Sequence, residues 1–448
     1  VILLKIALAH FRLGETDGVS LEMEKWKYVL EKMGHTVIFI SGTRGYGDYY
    51  LQEMDYHSEA FKSWEYNSFV ELKDYRNEDE FKTSMLECAE EIEAKISKII
   101  SDEEIETIVP NNIFSLGMGL PVAVGFYNAI KYSGISSINH NHDFYWEREH
   151  MSSPTCPFVS NCLNRNFPPS GPEFTQLVIN HIAQAELKRR KGVESIVVPN
   201  VFDFLAPLWE IDQFNSDLRS RLGIGENDIV FLQATRIEKR KAIEISIETV
   251  GEIGKRKDEL TGKLYDNRTF SANDRLVLLM PGLVETGKDY VHFLKQRANR
   301  EGVELIWADS LFGARRKEQE GKQYSLWDAY AISDMITYPS ILEGWGNQYL
   351  EGLFARKPMI IFEYPVFQSD ILQFGFKNIS LGSDFVEKEE NGLAYVSVNR
   401  EMIEDAAKEA VELLKNKKKY ETFVNKNFEI ASQELSYKAL EKMLDDIF

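Results

Sequence analysis

Apolar runs of strand length alternate with amphipathic stretches of helical period along the whole chain, which is the pattern of a parallel sheet covered by helices. In the first half, the runs Ile2 to Ala9, Thr36 to Ser41, Thr107 to Pro110, Ser136 to Asn139, Gln176 to Ile179 and Ser195 to Pro199 predict strands. Between the first two, Ser20 to Met33 predicts a helix with Leu21, Trp26, Val29, Leu30 and Met33 on its buried face. The scheme restarts after Phe204 to Asn227, a segment of mixed pattern containing Pro207, with strands predicted at Asp228 to Ala234, Arg275 to Pro281, Val303 to Ala308, Met335 to Thr337 and Pro358 to Phe362. Two doubly wound α/β units in tandem follow from this repetition. The length of 448 residues agrees, because single hydrophobic cores stop growing at roughly 250 to 300 residues. The expected division is residues 1–205 as a first Rossmann-like domain, 206–227 as a linker, 228–434 as a second such domain, and 435–448 as a terminal segment.

Charge narrows the choice of partner. A formal net charge of -19 argues against nucleic acid and against an anionic membrane surface, since affinity for either is built from clustered Lys and Arg. The densest basic run, Lys188 to Lys191, sits where a helix would end and complements its dipole. The apolar opening Val1 to Ala9 is far shorter than the roughly 20 residues needed to cross a bilayer, and it reads as a buried strand. Three cysteines, Cys88, Cys156 and Cys162, cannot all pair and have no His or Cys neighbours at zinc spacing, so a reduced, cytoplasmic protein is expected.

In open parallel sheets, ligands bind beyond the carboxyl ends of the strands. Five such places carry unusual chemistry: Arg12 to Ser20, His140 to Asp143, Arg236 to Lys241, Asp309 to Gly313 and Glu343 to Glu351. Arg236 and Lys241 could converge on a diphosphate and neutralise a leaving nucleotide, or they could be a solvated basic loop. In Glu343-Gly344-Trp345-Gly346-Asn347-Gln348, the glycines let backbone amides approach a ligand at a helix start. Glu343 and Glu351 there could accept from sugar hydroxyls, or could simply favour the helix dipole. The His140-x-His142 spacing suggests a metal pair, but no third ligand stands nearby in sequence, so no metal is expected.

These segments together resemble the retaining glycosyltransferases of family 4, which have the GT-B fold of two Rossmann-like domains facing across a cleft. The family's Arg-x4-Lys matches Arg236 and Lys241, and its Glu-x7-Glu signature matches Glu343 and Glu351, with Trp345 where Phe is usual. Val198-Pro-Asn-Val-Phe-Asp203 and Asn391-Gly392-Leu393 are similar to further family segments. The resemblance implies a nucleotide-sugar donor, with UDP-glucose and GDP-mannose as the leading guesses, held on the second domain. Arg236 and Lys241 would hold its diphosphate, Glu351 its ribose, and Glu343 with the amides from Gly344 to Gln348 its hexose. Base contacts would fall near Ser310 to Gly313. It implies that His142 lies by the anomeric carbon, with His140 as the competing candidate. The loop Arg12 to Ser20 corresponds to the family's glycine-rich loop, whose Gly18 would contact donor phosphate. Asp17 stands where a second Gly is common, which suits acceptor hydroxyls better than a diphosphate. Arg12, Asp17, His140 and Asp143 are the expected acceptor contacts, and residues 435–448 would cross back to the first domain.

The expected reaction is retaining transfer of a hexose to a soluble acceptor such as a sugar, sugar phosphate or glycosylglycerate. No cofactor and no metal are expected, the cations doing the work of magnesium. A nucleotide-sugar epimerase or hydrolase would instead consume donor without an acceptor, and a sugar-binding protein would bind donor without turnover.

Overall fold

The computed structural model describes residues 3–15, 18–318 and 321–448. The chain forms two compact units, residues 1–201 with 437–448, and residues 202–436.

The sheet of the first unit is parallel throughout. Its strands are β1 (Lys5–His10), β2 (Thr36–Ser41), β3 (Tyr49–Tyr50), β4 (Thr107–Pro110), β5 (Ser136–Asn141), β6 (Phe174–Val178) and β7 (Ile196–Val197), in the order β3-β2-β1-β4-β5-β6-β7. Central strands such as β4 are buried on both faces, which is why they read as continuous apolar runs rather than alternating ones. All six predicted strands overlap these ladders; the two-residue β3 carries too short a signal to be read.

The first predicted helix forms over Gly18–Lys32, but its buried face differs from expectation. Met23, Trp26, Val29 and Leu30 are inside, whereas Leu21 is 44% exposed. Met23 lies three residues before Trp26, and the stripe 23-26-30 follows the 3.6-residue period, which turns position 21 outward. The helix Tyr437–Asp445 packs on the same side of the sheet: its Leu440 and Leu444 share one core with Met23, Trp26 and β1 residues Ile6 and Leu8. On the other side, the long helix Glu78–Asp102 contributes Phe81, Met85, Ile92 and Ile96 to a second core.

The second unit repeats the architecture. Strands β8 (Ile229–Leu232), β9 (Leu276–Met280), β10 (Glu304–Trp307), β11 (Met335–Tyr338), β12 (Met359–Ile361) and β13 (Ile379–Ser380) form a parallel sheet in the order β10-β9-β8-β11-β12-β13. Asn391 and Gly392, both at positive φ, turn a two-stranded hairpin between Val386–Glu390 and Leu393–Ser397, as Asn-Gly does where both central residues must be left-handed. Within residues 206–227 the only helix among the described residues is the short Leu218–Arg221.

Each sheet changes direction once. In the first unit the switch falls between β1 and β4, and in the second between β8 and β11. Crossover connections leave opposite ways at such a point and open a crevice beyond the strand ends.

Candidate active site

In the second unit, the loops beyond β8 and β11 carry the two charged motifs. Met335 pairs with Phe231 and Ile336 with Leu232, so segments about a hundred residues apart in sequence leave the sheet side by side. A buried polar knot ties the strand ends: Gln233 Oε1 accepts from Ser246 Oγ at 2.7 Å and from Thr337 Oγ1 at 2.9 Å, while its Nε2 donates to Thr235 Oγ1 at 2.8 Å. Further out, the Ile341 amide donates to the Arg240 carbonyl at 3.0 Å.

Against this frame Lys241 Nζ meets Glu343 Oε1 at 2.5 Å, with side chains only 5% and 8% exposed. Arg240 reaches the other carboxylate oxygen at 3.3 Å and the Leu342 carbonyl at 3.1 Å. Burial lowers the Lys241 pKa, and the Glu343 carboxylate opposes that shift. Lys241 ends a short 3-10 turn; Ala242 follows in the left-handed region at φ 49°, and the buried helix Ile243–Gly254 begins at once. Arg236, by contrast, is exposed and closes on Glu285 at 2.8 Å.

Gly346 caps the helix Asn347–Phe354 at φ +114°, and a Cβ there would lie 2.3 Å from the Tyr364 hydroxyl, so the position demands glycine twice over. The Tyr364 hydroxyl donates to the Trp345 carbonyl at 2.7 Å, fixing the turn between Glu343 and the helix start. Trp345 is buried, Gly344 is exposed, and Asn347 and Gln348 are half-buried in the first helical turn. Glu351, one turn further, accepts from the buried Tyr330 hydroxyl at 2.7 Å. Beyond β10, residues Asp309–Leu311 form a 3-10 turn leading into Phe312–Gly313. The structure brings Lys241 and Arg240 together on Glu343, just before a helix N-terminus, and places Arg236 apart on Glu285.

In the first unit, residues at the carboxyl ends of β1, β4 and β5 and just beyond them meet in a buried cluster. His140 Nδ1 lies 3.1 Å and His142 Nε2 lies 3.2 Å from Asn111 Oδ1, and His10 Nδ1 lies 3.0 Å from the Asn111 carbonyl. Asn112, left-handed at φ 58°, accepts from the backbone amides of His142 at 2.7 Å and Asp143 at 3.3 Å through Oδ1. The His140 ring sits 4.5 Å from Trp26 and 4.1 Å from His142, centroid to centroid. Burial pushes His140 down to about 3; burial first, then the fields of His140 and His10, hold His142 well below the usual imidazole value. Asp143 pairs with Arg148 at 3.1 Å.

Arg12 Nε donates to Glu15 at 2.7 Å, its guanidinium 4.9 Å above the Tyr56 ring, and Glu15 also meets His57 at 2.6 Å. Gly18 opens the first helix, and Asp17 lies outside the described residues. Among the described residues, no cluster of three or more His, Cys, Asp or Glu is placed to hold a metal ion, and no helix is long and apolar enough to cross a membrane.

Sequence reading missed the partners that organise these side chains: Asn111, Asn112 and His10 in one unit, and Gln233, Glu285, Tyr330 and Tyr364 in the other. Asn111-Asn112 directly after the buried β4 was the legible signal, since two polar side chains at a strand end must find partners.

Two doubly wound units in tandem, each with polar side chains gathered beyond its switch point, make up the GT-B fold. Solved structures agree. The chain matches the catalytic domain of starch synthase IV from Arabidopsis thaliana bound to ADP and acarbose with a TM-score of 0.58 at 13% identity, covering 99% of this chain and 98% of that one. It matches HepE from Anabaena, in complex with UDP and glucose, with a TM-score of 0.54 at 14% identity over 99% of each chain. These likenesses establish the fold.

The sequence relatives are far closer. The chain is 42% identical over 416 residues to the mannosylglucosylglycerate synthase of Petrotoga mobilis, covering 92% of this chain and 93% of the relative. It is 40% identical over 447 residues to that of Thermotoga maritima, covering 98% and 99%. It belongs to the mannosylglucosylglycerate synthase family. No family model matches the chain.

Proposed function

We propose that the protein transfers a mannosyl unit from a nucleoside diphosphate mannose, with GDP-mannose the first to test, to a hydroxyl of glucosylglycerate, with retention of configuration and without a metal ion. The observation that carries the reading is the buried Lys241–Glu343 pair beside a helix N-terminus, in a chain 40% identical to a mannosylglucosylglycerate synthase over nearly its whole length.

Lys241 and Arg236 hold the diphosphate and stabilise charge on the departing nucleotide, while Glu351 takes the ribose. Glu343 and the amides from Gly344 to Gln348 take the hexose hydroxyls, and His142 stands by the anomeric carbon. Gly18, Arg12, Asp17, His140 and Asp143 belong to the acceptor side and the loop that meets the donor phosphate. The leaving phosphate oxygen receives the acceptor's proton on the face from which the nucleotide departs, so no protein nucleophile is used.

The test incubates the enzyme with glucosylglycerate and GDP-mannose, UDP-glucose or ADP-glucose, with and without EDTA, and reads the product's anomeric configuration by NMR. An α-mannosyl product from the mannose donor, undiminished by EDTA, is expected. Inversion, donor consumption independent of acceptor, or loss in EDTA restored by magnesium would each overturn the corresponding part.

A further inference from the structure

The three histidines and two asparagines at the switch point of the first unit hold more information than the position of His142. Asn111 Nδ2 donates to the Val109 carbonyl at 3.1 Å. A carbonyl only accepts, so this bond fixes which way the amide faces, and its Oδ1 is the atom turned to the histidines. An amide oxygen also only accepts. The two ring nitrogens it faces, His140 Nδ1 at 3.1 Å and His142 Nε2 at 3.2 Å, must therefore both carry protons.

For a neutral imidazole, the other nitrogen is then a bare lone pair. On His140 that atom, Nε2, is buried without a hydrogen-bond partner. On His142 it is Nδ1. His142 is 8% exposed against 2% for His140, and its main chain is pinned separately by Asn112. Asn112 is itself restrained by Ser115 Oγ, which donates to its Oδ1 at 3.2 Å.

We infer that Asn111 is a positioning residue that locks His142 in the Nε2-protonated tautomer, so that its Nδ1 is a fixed hydrogen-bond acceptor for a hydroxyl of the bound sugar. The catalytic meaning rests on the glycosyltransferase reading above; the tautomer does not. The charged and titratable groups around His142 act in one direction. His140 and His10 both disfavour a second proton on it, and the neighbouring Asp143 is engaged by Arg148. The acceptor character of His142 therefore persists at pH values where an ordinary histidine, with a pKa near about 6.5, has become a double donor.

The first measurement needs no substrate and no variant of the clamp. Ring 15N NMR of the full chain labelled at its 8 histidines, with His142 assigned from a His142→Gln spectrum, reads the protonation of each nitrogen directly. The expected result is a proton on Nε2 and none on Nδ1, unchanged from pH about 8 to about 5.5. A proton on Nδ1, or a titration near the ordinary imidazole value, overturns the inference.

The second measurement uses Asn111→Asp, which places a carboxylate against both rings and favours the imidazolium. His142 should then titrate upward, and kcat should fall about tenfold or more at pH about 6, recovering as pH rises, with KM for the donor little changed. Asn111→Ala should instead lower kcat at every pH. An Asn111→Asp enzyme with the wild-type pH profile and unshifted His142 resonances would refute the clamp. If the tautomer is as stated but no sugar is transferred by the wild type, the clamp stands and the functional reading fails.

Discussion

Replacing Glu343 with Gln tests the buried ion pair in a way that separates its structural cost from its catalytic one. The substitution preserves shape and leaves the Lys241 ammonium, 5% exposed, facing an uncharged amide. Removing one partner of a buried pair costs about 3–5 kcal/mol when the survivor stays charged. Lys241 has an escape, because it can shed its proton. Burial already lowers its pKa, and the Glu343 carboxylate is the first influence opposing that shift, so in Glu343→Gln the folded-state value falls further below the unfolded one. Between those two values the unfolded chain binds more protons, and stability rises with pH. The stability deficit of the variant is therefore largest at low pH, below the folded-state pKa, and shrinks as pH climbs through and above it.

A net loss of about 2–4 kcal/mol at neutral pH is expected, because part of the full cost is avoided by deprotonation. For a unit of this size it corresponds to a drop in Tm of about 5–15 °C. Scanning calorimetry of wild type and variant at several pH values from about 6 to about 9.5 makes the comparison, together with the double variant Lys241→Met/Glu343→Gln. The double variant should melt above Glu343→Gln at the lower pH values, since it buries no unpaired charge. A Glu343→Gln enzyme whose deficit is independent of pH, or a double variant whose losses add, would refute the reasoning.

Three further outcomes follow from the same structure. Arg236→Ala breaks an exposed pair with Glu285, so stability should change by about 0–1 kcal/mol while calorimetric affinity for GDP falls about tenfold or more; unchanged affinity would remove Arg236 from the diphosphate site. Gly346→Ala should cost about 2 kcal/mol or more, since its φ is +114° and the new Cβ meets the Tyr364 hydroxyl, and adding Tyr364→Phe should recover part of the lost Tm. Trp26→Ala should destabilise by about 3–5 kcal/mol and Leu21→Ser by less than about 0.5 kcal/mol, because Trp26 is 2% exposed and Leu21 is 44% exposed; equal losses in urea unfolding would contradict the buried face assigned to the helix.

How far the sequence reached can be judged residue by residue. The strands Thr36–Ser41 and Thr107–Pro110 were legible to the residue, because doubly buried parallel strands are short unbroken apolar runs between polar turns. The helix Gly18–Lys32 was legible as an element but not in its facing, since Leu21 and Met23 are both apolar and only packing decides which one the core takes. Asn111 shows the limit for a site residue. Its type and its place after a strand are visible, but its two histidine partners come from β5 and the loop beyond it, roughly thirty positions away.

The sequence by itself determined the α/β class, the repetition of the doubly wound unit, the net charge of -19, and the presence of Arg236, Lys241, Glu343 and Glu351 in the segments that follow two strands. These are properties of local periodicity, composition and spacing, which each segment carries without reference to the others. Only the tertiary structure decided which of those charges meet. Lys241 joins Glu343 and Arg236 joins Glu285 because strand order sets β8 between β9 and β11. Strand order is fixed by how two layers of helices cover a sheet as a whole, and no single stretch of chain encodes it.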